Sequence, residues 1–149
     1  MPPATIPTPL TIGAPDGDGR LVREVSAEPA SVAPLRSELT AWARSMGARD
    51  PDAIALAVSE ACTNIVVHAY REQPAPGPII AAAERRGTEL QITIADRGCG
   101  LRPRCDSPGL GLGLALISRV AQRVAIEASA ATGTTVCMTF AVRAASPFT

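Results

Sequence analysis

The sequence predicts an α+β fold, a two-layer sandwich in which helices cover one face of a mixed β-sheet. Two observations support this prediction. Apolar residues recur at helical spacing in three segments and alternate with polar residues in others, which gives the order β-α-α-β-β-α-β-β. Neither an internal repeat nor a change in composition divides the chain, and 149 residues suit one domain with a single core.

The chain divides into a folded domain and two terminal segments. Residues 1–19 are rich in proline and glycine and have no apolar period, which predicts a flexible extension. Residues 20–143 carry all the periodic segments and form the predicted domain. Residues 144–149 are left as a tail.

The domain begins with an alternating segment that predicts a strand over residues 20–25. Apolar residues at helical spacing then predict a first helix over residues 30–46, which Gly47 is placed to end. Asp50 as the N-cap and Pro51 at the first helical position begin a second helix.

The second half of the domain is predicted to contain most of the sheet. The second helix runs to about Tyr70 and stops before a proline-rich turn. Alternating or β-rich segments and one further apolar helical segment follow. The predicted elements are strands over residues 79–85 and 89–95, a helix over residues 112–121, and strands over residues 124–128 and 134–142.

Composition narrows the function classes. Lys+Arg and Asp+Glu balance at 14 each, which argues against the strongly basic face of a dedicated nucleic-acid binder. Apolar runs fall short of the about 20 residues that cross a bilayer, and the first residues lack the features of a signal peptide. The four cysteines include no Cys-x-x-Cys pair, so a zinc site or a disulfide framework is not supported. We therefore expect a cytoplasmic protein with no direct nucleic-acid or membrane partner.

The most informative segment is SEACTNIVVHAY, residues 59–70, in the second helix. It places Glu60, Asn64 and His68 four residues apart, so that their side chains share one helix face. A carboxylate can act as a base, and a carboxamide offers a neutral oxygen ligand. Placed one turn apart, they suit a site that holds a magnesium–phosphate complex close to a group that is deprotonated. On the helix alone, the polar edge of an amphipathic helix explains the same residues, and this alternative stays open.

A D-x-G-x-G motif follows the strand that ends at residue 95. Asp96 at a strand end can accept a hydrogen bond from an exocyclic amine such as that of adenine. Gly98 and Gly100 permit backbone conformations closed to other residues and let a flat ring approach the main chain. An ordinary Asp/Gly turn is the alternative.

A second glycine-rich segment, G-L-G-L-G-L, leads into the third helix. Gly109, Gly111 and Gly113 would offer backbone N–H groups to phosphate and form a mobile lid, although a plain hinge explains each glycine separately. Arg102 and Arg104 precede them and would reach phosphate or remain solvated. Thr134 opens the last strand, where its hydroxyl would assist adenine binding or simply serve the strand.

These motifs, taken in order, resemble the Bergerat-type ATP-binding fold of the GHKL superfamily, shared by gyrase, heat-shock chaperones, histidine kinases and mismatch-repair proteins. The resemblance covers about residues 20–143. The chain is most similar to the small anti-sigma factor serine/threonine kinases, which share its length, the position of the motif on the second helix and the G-T-x-V-x-M-T ending, here GTTVCMTF.

The resemblance implies roles for individual residues. Glu60 would be the general base, and Asn64 would hold Mg²⁺. Asp96 would read the adenine amine in a pocket shaped by Gly98 and Gly100, with help from Thr134. The three glycines of the lid would contact the phosphates of ATP.

The resemblance also implies partners. It implies an anti-anti-sigma protein phosphorylated on serine, a sigma factor held inactive, and a homodimer. Two other interpretations remain. The chain would be an ATP-binding regulatory module that grips a partner without phosphoryl transfer, or a detached histidine-kinase ATPase domain that needs a separate histidine-bearing partner.

Overall fold

The structure is a computed structural model that describes residues 19–98, 110–129 and 131–143, with the backbone alone for residues 110–113. The predictions for the extension before residue 19 and for the tail lie outside the described residues. So do those for Gly100, Gly109, Arg102 and Arg104.

In residues 19–98, 110–129 and 131–143, eight segments of helix or strand follow the predicted order, and the α+β class is confirmed. Helix α2 continues without a break into one π-helical turn, which the sequence did not predict. The elements are β1 (Arg20–Ser26), α1 (Pro29–Ser45), α2 (Pro51–Asn64), the π turn (Ile65–Ala69), β2 (Pro78–Arg86), β3 (Glu89–Asp96), α3 (Leu110–Val120), β4 (Arg123–Ser129) and β5 (Gly133–Ala141).

The sheet has the strand order β1-β2-β3-β5-β4, and all four pairings are antiparallel. The predicted mixed pairing is therefore wrong. Two helices separate β1 from β2, so the chain reverses direction three times between these neighbours, which run antiparallel. The only single-helix crossover among the described strands joins β3 to β4, and β5 inserts between them, so no parallel pair forms.

The core lies on one face of the sheet. Every second side chain of a strand points to this face and packs against the helices. In β3 the buried residues alternate, with Ile92 and Ile94 paired across to Met138 and Val136 of β5. Asp96 continues the same alternation and is also buried. The end of this apolar face therefore carries a carboxylate.

The turn before α2 has the predicted chemistry. Asp50 is the N-cap, and its Oδ1 accepts a hydrogen bond of 3.1 Å from the Ala53 N–H. Pro51 occupies the first helical position. Gly47, with φ of +84°, follows the end of α1 in the left-handed region that favours glycine.

The helical segment Pro51–Ala69 is long and apolar enough, by length and composition alone, to cross a membrane. The core helix of a water-soluble protein passes the same test, so this is weak evidence for a membrane span. One face of the segment packs in the core through Ile54, Ala57, Val58, Ala61 and Cys62, which are at most 2% exposed.

Helix α3 begins at Leu110, two residues before the predicted start. Gly111, which the sequence predicted in the preceding loop, therefore lies with Gly113 in the first turn of the helix. Glycine disfavours a helix interior by about 1 kcal/mol. Tertiary packing offsets this, since Ile117 of the same helix is fully buried.

We expect Asp50→Ala to lower the free energy of unfolding by about 1 kcal/mol, because the first turn of α2 loses its side-chain cap. Urea unfolding of the two proteins measures the difference. Asp50→Asn retains a side-chain acceptor and serves as the matched control. Equal stability of the Ala and Asn variants would contradict this account of how the helix begins.

Candidate functional site

A pocket opens where α2, the π turn and α3 meet the ends of β3 and β5. Its volume is about 400 Å³, including the part open to solvent. Most of its lining is apolar, and the polar side chains come from four different elements. The lining residues are Ala61, Asn64, Ile65, His68, Ala69, Ile94, Asp96, Leu114, Thr134 and Val136.

Asp96 is the buried charge of this pocket, with only 5% of its surface exposed. Its Oδ1 accepts hydrogen bonds from the Gly98 N–H at 2.8 Å and from the Thr134 N–H at 3.3 Å. Burial raises the pKa of the Asp96 carboxyl, and these two N–H groups act in the opposite direction. Within the described part of the chain, both hydrogen bonds go to Oδ1, which leaves Oδ2 to accept from a ligand.

Two glycines let neighbouring backbones close around Asp96. A Cβ on Gly98 would lie 2.1 Å from the carbonyl oxygen of Ala69, at the end of the π turn. A Cβ on Gly133, whose φ is +91°, would lie 2.2 Å from the carbonyl oxygen of Asp96. The close approach that the sequence assigned to a ligand ring at Gly98 is thus made by the protein backbone.

The helix contributes the other polar side of the pocket. Asn64, the last residue of α2, and His68 in the π turn both line it. The wider i→i+5 turn makes the four-residue spacing between them fall short of one full turn. Burial and the positive charge of Arg71 lower the pKa of His68. Single π turns often occur at functional sites.

Glu60 does not line the pocket. It lies one turn before Asn64 on α2 and is half-buried. The face predicted for Glu60, Asn64 and His68 is therefore divided, with its second and third members in the pocket. The assignment of Glu60 as a base stays a prediction.

The structure brings Asn64, Asp96 and Thr134 into one pocket, and Gly98 lies directly behind Asp96. Gly111 and Gly113 belong to the helix whose Leu114 lines the same pocket. Sequence reasoning missed the apolar walls, although alternation along β3 placed Ile94 on the face of Asp96. The roles of Asn64, Asp96, Thr134 and these glycines toward a ligand stay predictions.

The described residues contain no group of three or more His, Cys, Asp or Glu side chains that would hold a metal ion. Asn64 fits a different kind of site. Mg²⁺ in nucleotide sites keeps several waters and takes one or two protein oxygens together with the phosphates. A single carboxamide oxygen at the pocket wall is compatible with that arrangement.

Solved structures resemble this fold. A histidine kinase domain from the blue-light activated histidine kinase EL346 of Erythrobacter litoralis matches with a TM-score of 0.52 and 26% identity, over 62% of this chain and 44% of that one. A second structure of the EL346 kinase matches with a TM-score of 0.51 and 24% identity, over 62% of this chain and 31% of that one, and shows the fold alone. The chain thus spans less than half the length of either structure.

Comparison with curated proteins finds no match. The family model of the histidine kinase-like ATPase domain matches residues 25–140, which include α2, the Asp96 pocket and nearly all of β5. The chain therefore belongs to the histidine kinase-like ATPase domain family.

Proposed function

We propose that the pocket binds ATP with Mg²⁺ and that the chain is an anti-sigma factor with serine-protein kinase activity. The observation that supports nucleotide binding best is the buried Asp96 carboxylate at the end of an apolar pocket that also holds Asn64. Membership of an ATPase domain family supports the choice of ATP.

Adenine fits the chemistry of the Asp96 end. Ile94, Val136 and Leu114 offer apolar contacts to the faces of a flat ring, and Oδ2 of Asp96 can accept from an exocyclic amine. Thr134, whose backbone N–H donates to the same carboxylate, also lines the pocket.

The phosphates would extend toward the helices. Asn64 would hold Mg²⁺ through its side-chain oxygen, and the first turn of α3, with Gly111 and Gly113, would present backbone N–H groups to phosphate. By the resemblance to the GHKL superfamily, Gly100 would help to shape the adenine pocket and Gly109 would contact the phosphates. ATP supplies the γ-phosphoryl group, and the residues of the chain position it and stabilise its charge.

The kinase part of the proposal rests on the resemblance to anti-sigma factor serine/threonine kinases. Glu60 would accept the proton of an acceptor serine on an anti-anti-sigma protein. The same resemblance supports a sigma factor as the sequestered partner, a homodimer, and a cytoplasmic location. The ending GTTVCMTF, residues 133–140 within β5, is the local feature that favours this group.

A second function has one observation in its favour. Glu60 lies outside the pocket lining, so the pocket as built serves binding without needing a base. An ATP-binding regulatory module that grips a protein partner would use Asn64, Asp96 and the glycines alone. Transfer of labelled phosphate distinguishes the two functions.

We expect Asp96→Asn to weaken ATP binding by about 10- to 100-fold, the value of a hydrogen bond to a charged group. Asn retains Oδ1 for the Gly98 and Thr134 N–H groups but turns an amide donor toward the adenine amine. Isothermal titration with ATP and Mg²⁺ measures the change. Unchanged affinity would contradict the adenine site.

Unfolding of the same variant provides the control. Because burial raises the pKa of Asp96, its ionised form costs stability in the folded state, so Asp96→Asn should unfold no more easily than wild type at neutral pH. Any advantage of Asn should shrink as the pH falls through the raised pKa toward 3.8. Asp96→Ala removes both acceptors and should lose about 1–3 kcal/mol.

We expect Glu60→Ala to bind ATP with wild-type affinity but to label the protein substrate at least about 100-fold more slowly, as loss of a general base does. Labelled ATP with candidate anti-anti-sigma proteins measures transfer, and Glu60→Gln tests the carboxylate at similar size. Equal labelling by wild type and both variants would show that Glu60 is not the base. Nucleotide binding by wild type without labelling of any candidate would favour the regulatory module.

A further inference from the structure

Tyr70 directly follows the π turn and is buried next to the pocket residue Ala69. Only 6% of its surface is exposed. Its hydroxyl donates to the Pro78 carbonyl oxygen at 2.6 Å and accepts from the Arg97 N–H at 2.8 Å. One phenol therefore joins the end of the helical segment to the first residue of β2 and to the residue after β3.

Packing fixes the ring as well as the hydroxyl. A Cβ on Gly77 would lie 2.4 Å from Cε1 of Tyr70, so only a glycine fits beneath the ring. On the adjacent residue, the Ala69 carbonyl oxygen lies so close to Gly98 that no side chain fits there either. The end of the π turn is thus held against both neighbouring strands at two successive residues.

The hydroxyl contacts the turn that carries the buried carboxylate. Arg97, which donates to it, stands between Asp96 and Gly98, and the Gly98 N–H donates to Asp96 Oδ1. Burial raises the pKa of Tyr70, with a smaller contribution from the charge of Asp96. The phenol therefore stays protonated at neutral pH and keeps its donor for Pro78.

From this geometry we propose that Tyr70 is a positioning residue of the nucleotide site: its hydroxyl sets the Asp96–Gly98 turn at a fixed place relative to the helical segment that carries Asn64. The inference rests on the proposed function, because Asp96 and Asn64 are assigned there to the adenine and Mg²⁺ ends of ATP. Fixing their separation preorganises the site and removes an ordering cost from binding.

The test is Tyr70→Phe, which keeps the ring over Gly77 and removes the two hydrogen bonds. We expect ATP binding to weaken roughly three- to tenfold, the value of about one net hydrogen bond. In the nucleotide-free protein, hydrogen exchange at the Arg97 amide should accelerate by a similar or larger factor. Gly77→Ala should also weaken ATP binding, because the added methyl group displaces the Tyr70 ring.

Thr40→Val is the matched control. It removes a buried hydroxyl that donates to the Arg36 carbonyl oxygen at 2.7 Å within α1, which does not line the pocket. We expect ATP affinity and Arg97 exchange of this variant to stay at wild-type values.

The outcomes separate the two claims. Failure of wild type to bind ATP overturns the proposed function and this inference with it. Binding of ATP by wild type and by Tyr70→Phe with equal affinity overturns the inference alone, whether or not Arg97 exchange changes. Weaker binding by Tyr70→Phe with unchanged Arg97 exchange also overturns it, because the effect would not pass through the turn.

Discussion

The candidate site depends on one carboxylate that is buried at the end of β3. Asp96 lies where the apolar face of the sheet would otherwise continue, and two backbone N–H groups hold one of its oxygens. An ionised group in such a place costs free energy, which these two donors offset only in part. A fold retains such a group most readily when a ligand uses it, and perturbed carboxyls in clefts are common at functional sites.

Close backbone contacts and the hydrogen bonds of Tyr70 fix the position of the strand end and turn that carry this carboxylate. Gly133 allows the backbone of β5 to approach Asp96, and Gly98 allows the next turn to close on the end of the π turn. Tyr70 then links that turn to β2 and to the helix. The order β3-β5 in the sheet puts Thr134 and Val136 beside the same pocket. Folding and site geometry therefore share the same contacts.

Most of the helices, strands and candidate site residues could be predicted from the sequence, but features that depend on long-range packing could not. Periodicity located every helix and strand in the part of the chain that the structure describes, and the cap at Asp50 marked the start of α2. The sequence motifs indicate Asn64, Asp96 and Thr134 as candidate site residues, and all three line the pocket. No local pattern indicates the π turn, the early start of α3 or the antiparallel pairing, which joins residues far apart in the chain. In the sequence, Tyr70 marks only a helix end, because its two hydrogen-bond partners lie 8 and 27 residues away.

The central claim is that Asp96 selects adenine, and base selectivity tests it most directly. Titration of the wild-type protein with ATP and with GTP, each with Mg²⁺, compares nucleotides that carry the same phosphates. The account predicts that GTP binds at least about 10-fold more weakly, because guanine turns a carbonyl oxygen toward the carboxylate where adenine offers an amine. Equal affinities for ATP and GTP would contradict it.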